Sequence, residues 1–235
     1  MNKGFGNEFN KKNNNQNKDF LVEDIELSAQ TKKAIFLARE GKLLESAKIY
    51  NALIHKGKFN HLTFHRLAGI YERLGKRKEA FQCLQKAINV KNNYAEAYCD
   101  IGRYLLDAKE IKSALNCYSK ALEYKPNLFG AYINIGNIYH KSGNLEEAMK
   151  YFQKSLEINN KIPITFYNIG TIYTTKKNFI DAERSYKSAL KCDKNFNLAK
   201  IGLLEIYLDT FNIKSLNKLK KYIDKACLLY TSDAA

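Results

Sequence analysis

Sliding the sequence against itself by 34 positions aligns small residues with small residues from Leu27 onward without a gap, and that period restricts the possible folds more than any other feature. Five units begin at Leu27, His61, Ala95, Phe129 and Pro163, and positions are counted from those residues. Position 8 holds Ala34, Ala68, Gly102, Gly136 and Gly170, and position 20 holds Ser46, Ala80, Ala114, Ala148 and Ala182. Position 24 is large (Tyr50, Leu84, Tyr118, Phe152, Tyr186), whereas position 27 is small apart from Leu53 (Ala87, Ala121, Ser155, Ala189). From the second unit on, position 4 is aromatic (Phe64, Tyr98, Tyr132, Phe166) and position 7 aliphatic (Leu67, Ile101, Ile135, Ile169). Position 11 carries Tyr71, Leu105, Tyr139 and Tyr173. Steps of 3, 4 and 7 put these side chains on one helical face.

The spacing predicts an all-α chain with two helices per unit, roughly at positions 2 to 15 and 18 to 31. A turn with Gly41, Gly75 or Gly143 separates them. Small residues at 8 and 20 suit the closest approach of two antiparallel helices, and the large residues fill the space beside it. One such pair cannot bury both its faces, so neighbouring pairs must stack.

This alternation, with Pro126 at position 32 of the third unit and the stretch AYINIGNIYHKSGNLEEAMKYFQKSLEINN as its best instance, resembles the tetratricopeptide repeat over residues 27–196. The resemblance implies a right-handed superhelical solenoid whose concave groove takes partner peptides. The first unit departs from the pattern at Gln30 and Lys33, as suits an end cap facing water. A sixth unit over residues 197–226 keeps Tyr207 but has Leu204 and Leu216 at the small positions, so it reads as degenerate.

Both ends read differently from the repeats. Residues 1–26 form an Asn/Lys-rich leader; its first 18 residues hold seven asparagines and too little apolar surface to offset the entropy of ordering, so disorder is expected there. The last nine, CLLYTSDAA (227–235), resemble the translation of a sequencing adapter, which implies a non-native tail and a native chain that continues past Ala226.

The formal charge of +15 taken alone points toward nucleic acid or a membrane. It is carried by 33 Lys against 6 Arg, beside 25 Asn, and base or phosphate recognition leans on the Arg fork. Lys, Asn and Ile all have A/T-rich codons, so a genome of low GC content accounts for the excess. Neither a specific nucleic acid nor a membrane is expected as partner. Five scattered cysteines, no two closer than 16 residues, spell no disulfide or zinc framework. With no apolar signal segment near the start, the expected compartment is the cytoplasm.

His61 and His65 have metal-binding spacing but no third ligand at a compelling position. Cys83 and Cys117 merely share position 23, and Glu146 and Glu147 sit where the first turn of a helix favours carboxylates. No nucleophile with its base, phosphate loop or metal cage is spelled, so no cofactor is expected and enzyme activity is not expected of these residues.

Positions 2, 6, 9 and 13 of each first helix point away from the core face. Their polar members include Lys32, Arg39, Arg66, Arg73, Asp100, Arg103, Asp107, Asn134, Asn137, Lys141, Asn168, Thr171 and Thr175, with Ile35, Leu62 and Ile164 interrupting. Four of the chain's six arginines fall here, which points to a carboxylate or phosphate partner. The resemblance makes Asn134 and Asn168 the counterparts of an asparagine ladder that holds peptide backbone. The expected function is a protein-interaction module that holds an extended or acidic segment in this groove. The alternative is the substrate-selecting front of a larger glycosyltransferase or sulfotransferase.

Overall fold

The computed structural model describes residues 29–210; the leader, the tail and the second half of the sixth unit lie outside them. The described chain is helical, with no strand among these residues. Helix α1 covers residues 29–39. It is followed by α2 (Leu43–His55), α3 (His61–Arg73), α4 (Arg77–Val90), α5 (Ala95–Asp107), α6 (Ile111–Tyr124), α7 (Phe129–Lys141), α8 (Leu145–Ile158), α9 (Pro163–Thr175), α10 (Phe179–Cys192) and α11 (Asn197–Asp209). First helices thus occupy positions 1 to 13 and second helices about 17 to 30, a residue or two earlier than the spacing predicts. The reason lies in the turn. Its left-handed residue stands at position 15 in every unit, at Gly41, Gly75, Lys109, Gly143 and Lys177. The following amide closes the first helix by bonding back to the position-11 carbonyl, as in Lys76 N–H to Tyr71 O (2.8 Å) and Asn144 N–H to Tyr139 O (2.9 Å).

Starts are fixed locally. The Asn60 side chain accepts from Thr63 N–H while Thr63 Oγ1 accepts from Asn60 N–H, a reciprocal cap for α3. Pro163 opens α9, where its missing N–H costs nothing. Glu146 and Glu147 lie in the first turn of α8, and Glu147 pairs with Lys150 at 2.6 Å.

The chain forms two compact units that meet in sequence at Tyr104 and Leu105. In the first, α3 packs along α4 and against α2. Ala68 and Leu67 of α3 are buried, as are Ala80, Leu84 and Ala87 of α4. In the second, α7 with α8 and α9 with α10 form the tightest pairs, and α11 packs on both α10 and α9. Its core includes Phe152, Ile169 and Ile172 on one side and Tyr186, Leu203 and Ile206 on the other.

The small positions separate into two kinds. A Cβ added at Gly136 would stand 2.6 Å from Phe152 Cε1, and one at Gly170 would stand 2.5 Å from Tyr186 Cε1. The Phe152 and Tyr186 rings therefore leave room only for glycine at position 8 of their units, whereas Leu84 leaves room for Ala68 and Tyr50 is packed in a unit with Ala34. Tyr186 presses on a further glycine, Gly202 at position 6 of the sixth unit, 2.6 Å from its added Cβ. The sixth unit thus keeps a small residue at the contact, two positions before Leu204.

Candidate functional site

Core packing turns positions 6, 9 and 13 of the first helices outward, and the side chains there are graded in exposure. Lys32, Arg39, Arg66, Arg73, Asp107, Lys141 and Thr175 are exposed; Asp100, Arg103, Asn134, Asn137 and Thr171 are half-buried; Asn168 is buried. Several bridge to the next first helix. Arg73 Nη1–H donates to Ala38 O at 2.7 Å, tying α3 to the end of α1. The Arg103 guanidinium grips Glu72 with both nitrogens, at 2.6 and 2.9 Å, tying α5 to α3. Burial opposes the Arg103 charge, yet the Glu72 hydrogen bond and charge outweigh it and hold the guanidinium pKa above its ordinary value.

His65 makes a third tie. Its Nε2 lies 2.8 Å from Asp100 Oδ2 and its Nδ1 lies 2.8 Å from the Tyr94 hydroxyl. A carboxylate only accepts, so Nε2–H donates to Asp100 and, in the neutral ring, Nδ1 accepts from the phenol. Burial pushes the Tyr94 phenol up to about 12, with Glu96 and Asp100 adding and Arg66 opposing. His61 packs edge-on against the same ring at 4.7 Å between centroids. Desolvation, Lys91 and His65 together keep its pKa low against the pull of Glu96. The two histidines are thus gathered around a tyrosine. Among the described residues no group of three or more His, Cys, Asp or Glu is placed to share a metal ion. Cys83 is equally quiet, since burial raises its thiol to about 11.

In the second unit the tie is an amide. Asn168 Nδ2–H donates to Asn137 Oδ1 at 2.7 Å, which joins α9 to α7. The Asn137 amino group keeps its own hydrogens for another acceptor. Thr171 and Thr175 turn their hydroxyls back onto the carbonyls of Asn168 and Thr171, at 2.8 and 2.9 Å, so neither offers its proton outward. Of the site residues expected from sequence, Arg73, Arg103 and Asn168 are committed to neighbouring helices. Lys32, Arg39 and Arg66 form no ion pair among the described residues, although the Arg66 guanidinium lies against the Tyr50 phenol.

Sequence reasoning passed over a pocket in the first unit. It has a volume of about 330 Å3 and lies among α3, α4 and α5, with Ala68, Gly69, Leu84 and Tyr104 beside the His65 imidazole and the charged Arg66, Glu72 and Asp100. Gly69 stands at position 9, outside the small positions of the packing pattern. A mid-helix glycine costs about 1 kcal/mol against alanine, and that was the available signal.

The fold defined by these helix pairs is a helical repeat. Tetratricopeptide repeat profiles match residues 63–94, 102–143, 130–161 and 165–196, together more than half of the chain, and the chain belongs to that family. Among solved structures it is similar to pilF of Pseudomonas aeruginosa, with a TM-score of 0.75 at 14% identity over 87% of this chain and 93% of that one. It is also similar to PilW, a type IV pilus biogenesis factor (0.73, 18%, 85% and 92%), and to MamA (0.57, 21%, 68% and 94%). At these identities the likeness is one of fold. No curated protein matches the chain in sequence.

Proposed function

We propose that the chain is a protein-interaction module whose first-helix face holds an extended, acidic segment of a partner. The observation that carries this reading is the uncompensated positive charge on that face. Arg103 and Arg73 are spent on neighbouring helices, but Lys32, Arg39 and Arg66 are exposed with no carboxylate opposite them. A partner carboxylate would supply what the chain itself does not, as charge-assisted hydrogen bonds to guanidinium. In the second unit the Asn137 amino group, at position 9 of its own first helix, is a neutral donor suited to a peptide carbonyl, which any sequence presents.

Selection of random peptides on the immobilised chain tests this reading. Acidic sequences should be enriched on the native chain and lost on a variant with Arg39→Ala and Arg66→Ala. They should be retained on one with Lys86→Ala and Lys112→Ala, which removes charge from the second helices α4 and α6. Equal loss on both variants would mean that a diffuse field, not this face, attracts the peptides. Lys154 is a poorer control than its repeat position suggests, because its ammonium lies 5.7 Å from the Tyr151 ring and so contributes to packing.

A further inference from the structure

Glycine inside a helix calls for a reason, and at Gly136 and Gly170 the reason is a ring pressed against the backbone. Gly69 has no such reason. A Cβ built there would meet nothing within 4 Å. The same position carries Ile35, Arg103, Asn137 and Thr171 in the other units. What the missing side chain leaves is the pocket of about 330 Å3, with Ala68, Leu84 and the Tyr104 ring as apolar surface. Around it Glu72 pairs with Arg103 and Asp100 accepts the His65 N–H, whereas Arg66, which lies against the Tyr50 phenol, pairs with no carboxylate.

We propose that this pocket reads one side chain of the segment held by the groove, taking an aliphatic residue of Leu or Met size whose neighbour in the segment is acidic and meets Arg66. The proposal rests on the groove reading above and adds a specificity to it. An aliphatic guest fits better than an aromatic one, because the Tyr104 ring already has the Arg103 and Arg77 guanidiniums 5.0 and 5.1 Å from its centre. Stacking on that ring would displace them, whereas an aliphatic chain needs only contact with Ala68, Leu84 and the ring edge. The acidic neighbour follows from charge complementarity, since Arg66 is the guanidinium at the pocket that lacks a carboxylate.

The experiment is a titration of the isotopically labelled chain, followed by its backbone amide resonances, with three blocked pentapeptides. These are acetyl-Ala-Asp-Leu-Asp-Ala-amide, the same with Ala at the centre, and the same with Lys in place of both Asp. The Leu peptide should shift the Gly69 amide and bind about tenfold tighter than the Ala peptide, the discrimination that a few methylenes yield in an apolar pocket. The Lys peptide should not bind. Gly69→Leu, which fills the pocket from its own floor, should erase the preference for Leu while the Ala peptide keeps its affinity through Arg66. Gly69→Ala, which has room for its Cβ, should fold and show a reduced preference. Equal affinity of the Leu and Ala peptides, or a preference that survives Gly69→Leu, would overturn the pocket and leave the groove standing. If neither acidic peptide shifts any first-helix resonance, the groove reading falls as well.

Discussion

The two compact units share one 34-residue frame, yet they fill its outer face with different chemistry. In the first, neighbouring first helices are tied by one ion pair, Arg103 to Glu72, and by hydrogen bonds in which one partner is charged, His65 to Asp100 and Arg73 to a carbonyl. In the second, the tie is one amide, Asn168 to Asn137, beside hydroxyls folded back on their own helix. The inner faces differ in the same direction. Leu84 in the first unit tolerates Ala68 and lies by an open pocket, while Phe152 and Tyr186 in the second fill the space so tightly that only glycine fits opposite. A repeat thus sets where side chains go without setting what they do. The first unit has the free charge and the cavity that recognition needs, and the second has the denser packing.

The sharpest way to break this comparison is to make one substitution in both units. Gly136→Ala should destabilise by about 2 to 3 kcal/mol, because the new Cβ lies far inside contact distance of Phe152. Gly69→Ala should stabilise by about 1 kcal/mol, since it gains helix propensity and meets nothing. Thermal unfolding of the two variants checks the signs, and equal signs would mean that the units are packed alike.

A smaller effect separates the two kinds of donor, guanidinium in the first unit and amide in the second. With an acidic peptide bound, Arg66→Ala should weaken binding by about 1 to 2 kcal/mol at low salt, and by less as salt screens the exposed guanidinium. Asn137→Ala should cost about 1 kcal/mol at every salt concentration, because a neutral hydrogen bond is not screened. Titrations at two ionic strengths read the difference.

The turns offer a milder test. Lys109 and Lys177 occupy the left-handed position at φ of 64° and 56°, where the other units have glycine. Lys177→Gly should therefore raise stability by up to about 1 kcal/mol, seen as a higher midpoint of unfolding in denaturant.

The smallest effect is pH-dependent and lies where α11 meets α10. Burial alone would raise the Glu183 carboxyl, but hydrogen bonds from Lys187 and from Tyr207 Oη (2.6 Å) hold it below the ordinary 4.5. A lowered folded value means stability that is present above 4.5 and lost as pH falls through that lowered value. The advantage of the native chain over Tyr207→Phe should be constant between pH 6 and 7 and should shrink below about pH 4.5 in thermal melts.

Much of this was legible in the sequence because a period of 34 residues fixes which side chains share a face. Helices start at His61, Ala95, Phe129 and Pro163, where the repeat begins. The ties between helices were harder to read. They join residues 31 or 35 apart, one repeat less three or plus one, so they appear only when two units are laid side by side. Arg103 was therefore expected to face a partner, although it had already found Glu72. The pocket was hidden for another reason. It depends on an absent side chain at Gly69, and a periodic pattern reports the side chains that recur, not one that is missing from a single unit.

Hydrogen exchange along the chain, with and without a selected acidic peptide, tests the central claim most directly. Slowed exchange should concentrate in the first helices of the first unit, at residues 65–73 of α3 and 99–104 of α5, with the second helix α4 unchanged. Protection that falls on the second helices instead would contradict the groove and hand recognition to the lysines of the opposite surface.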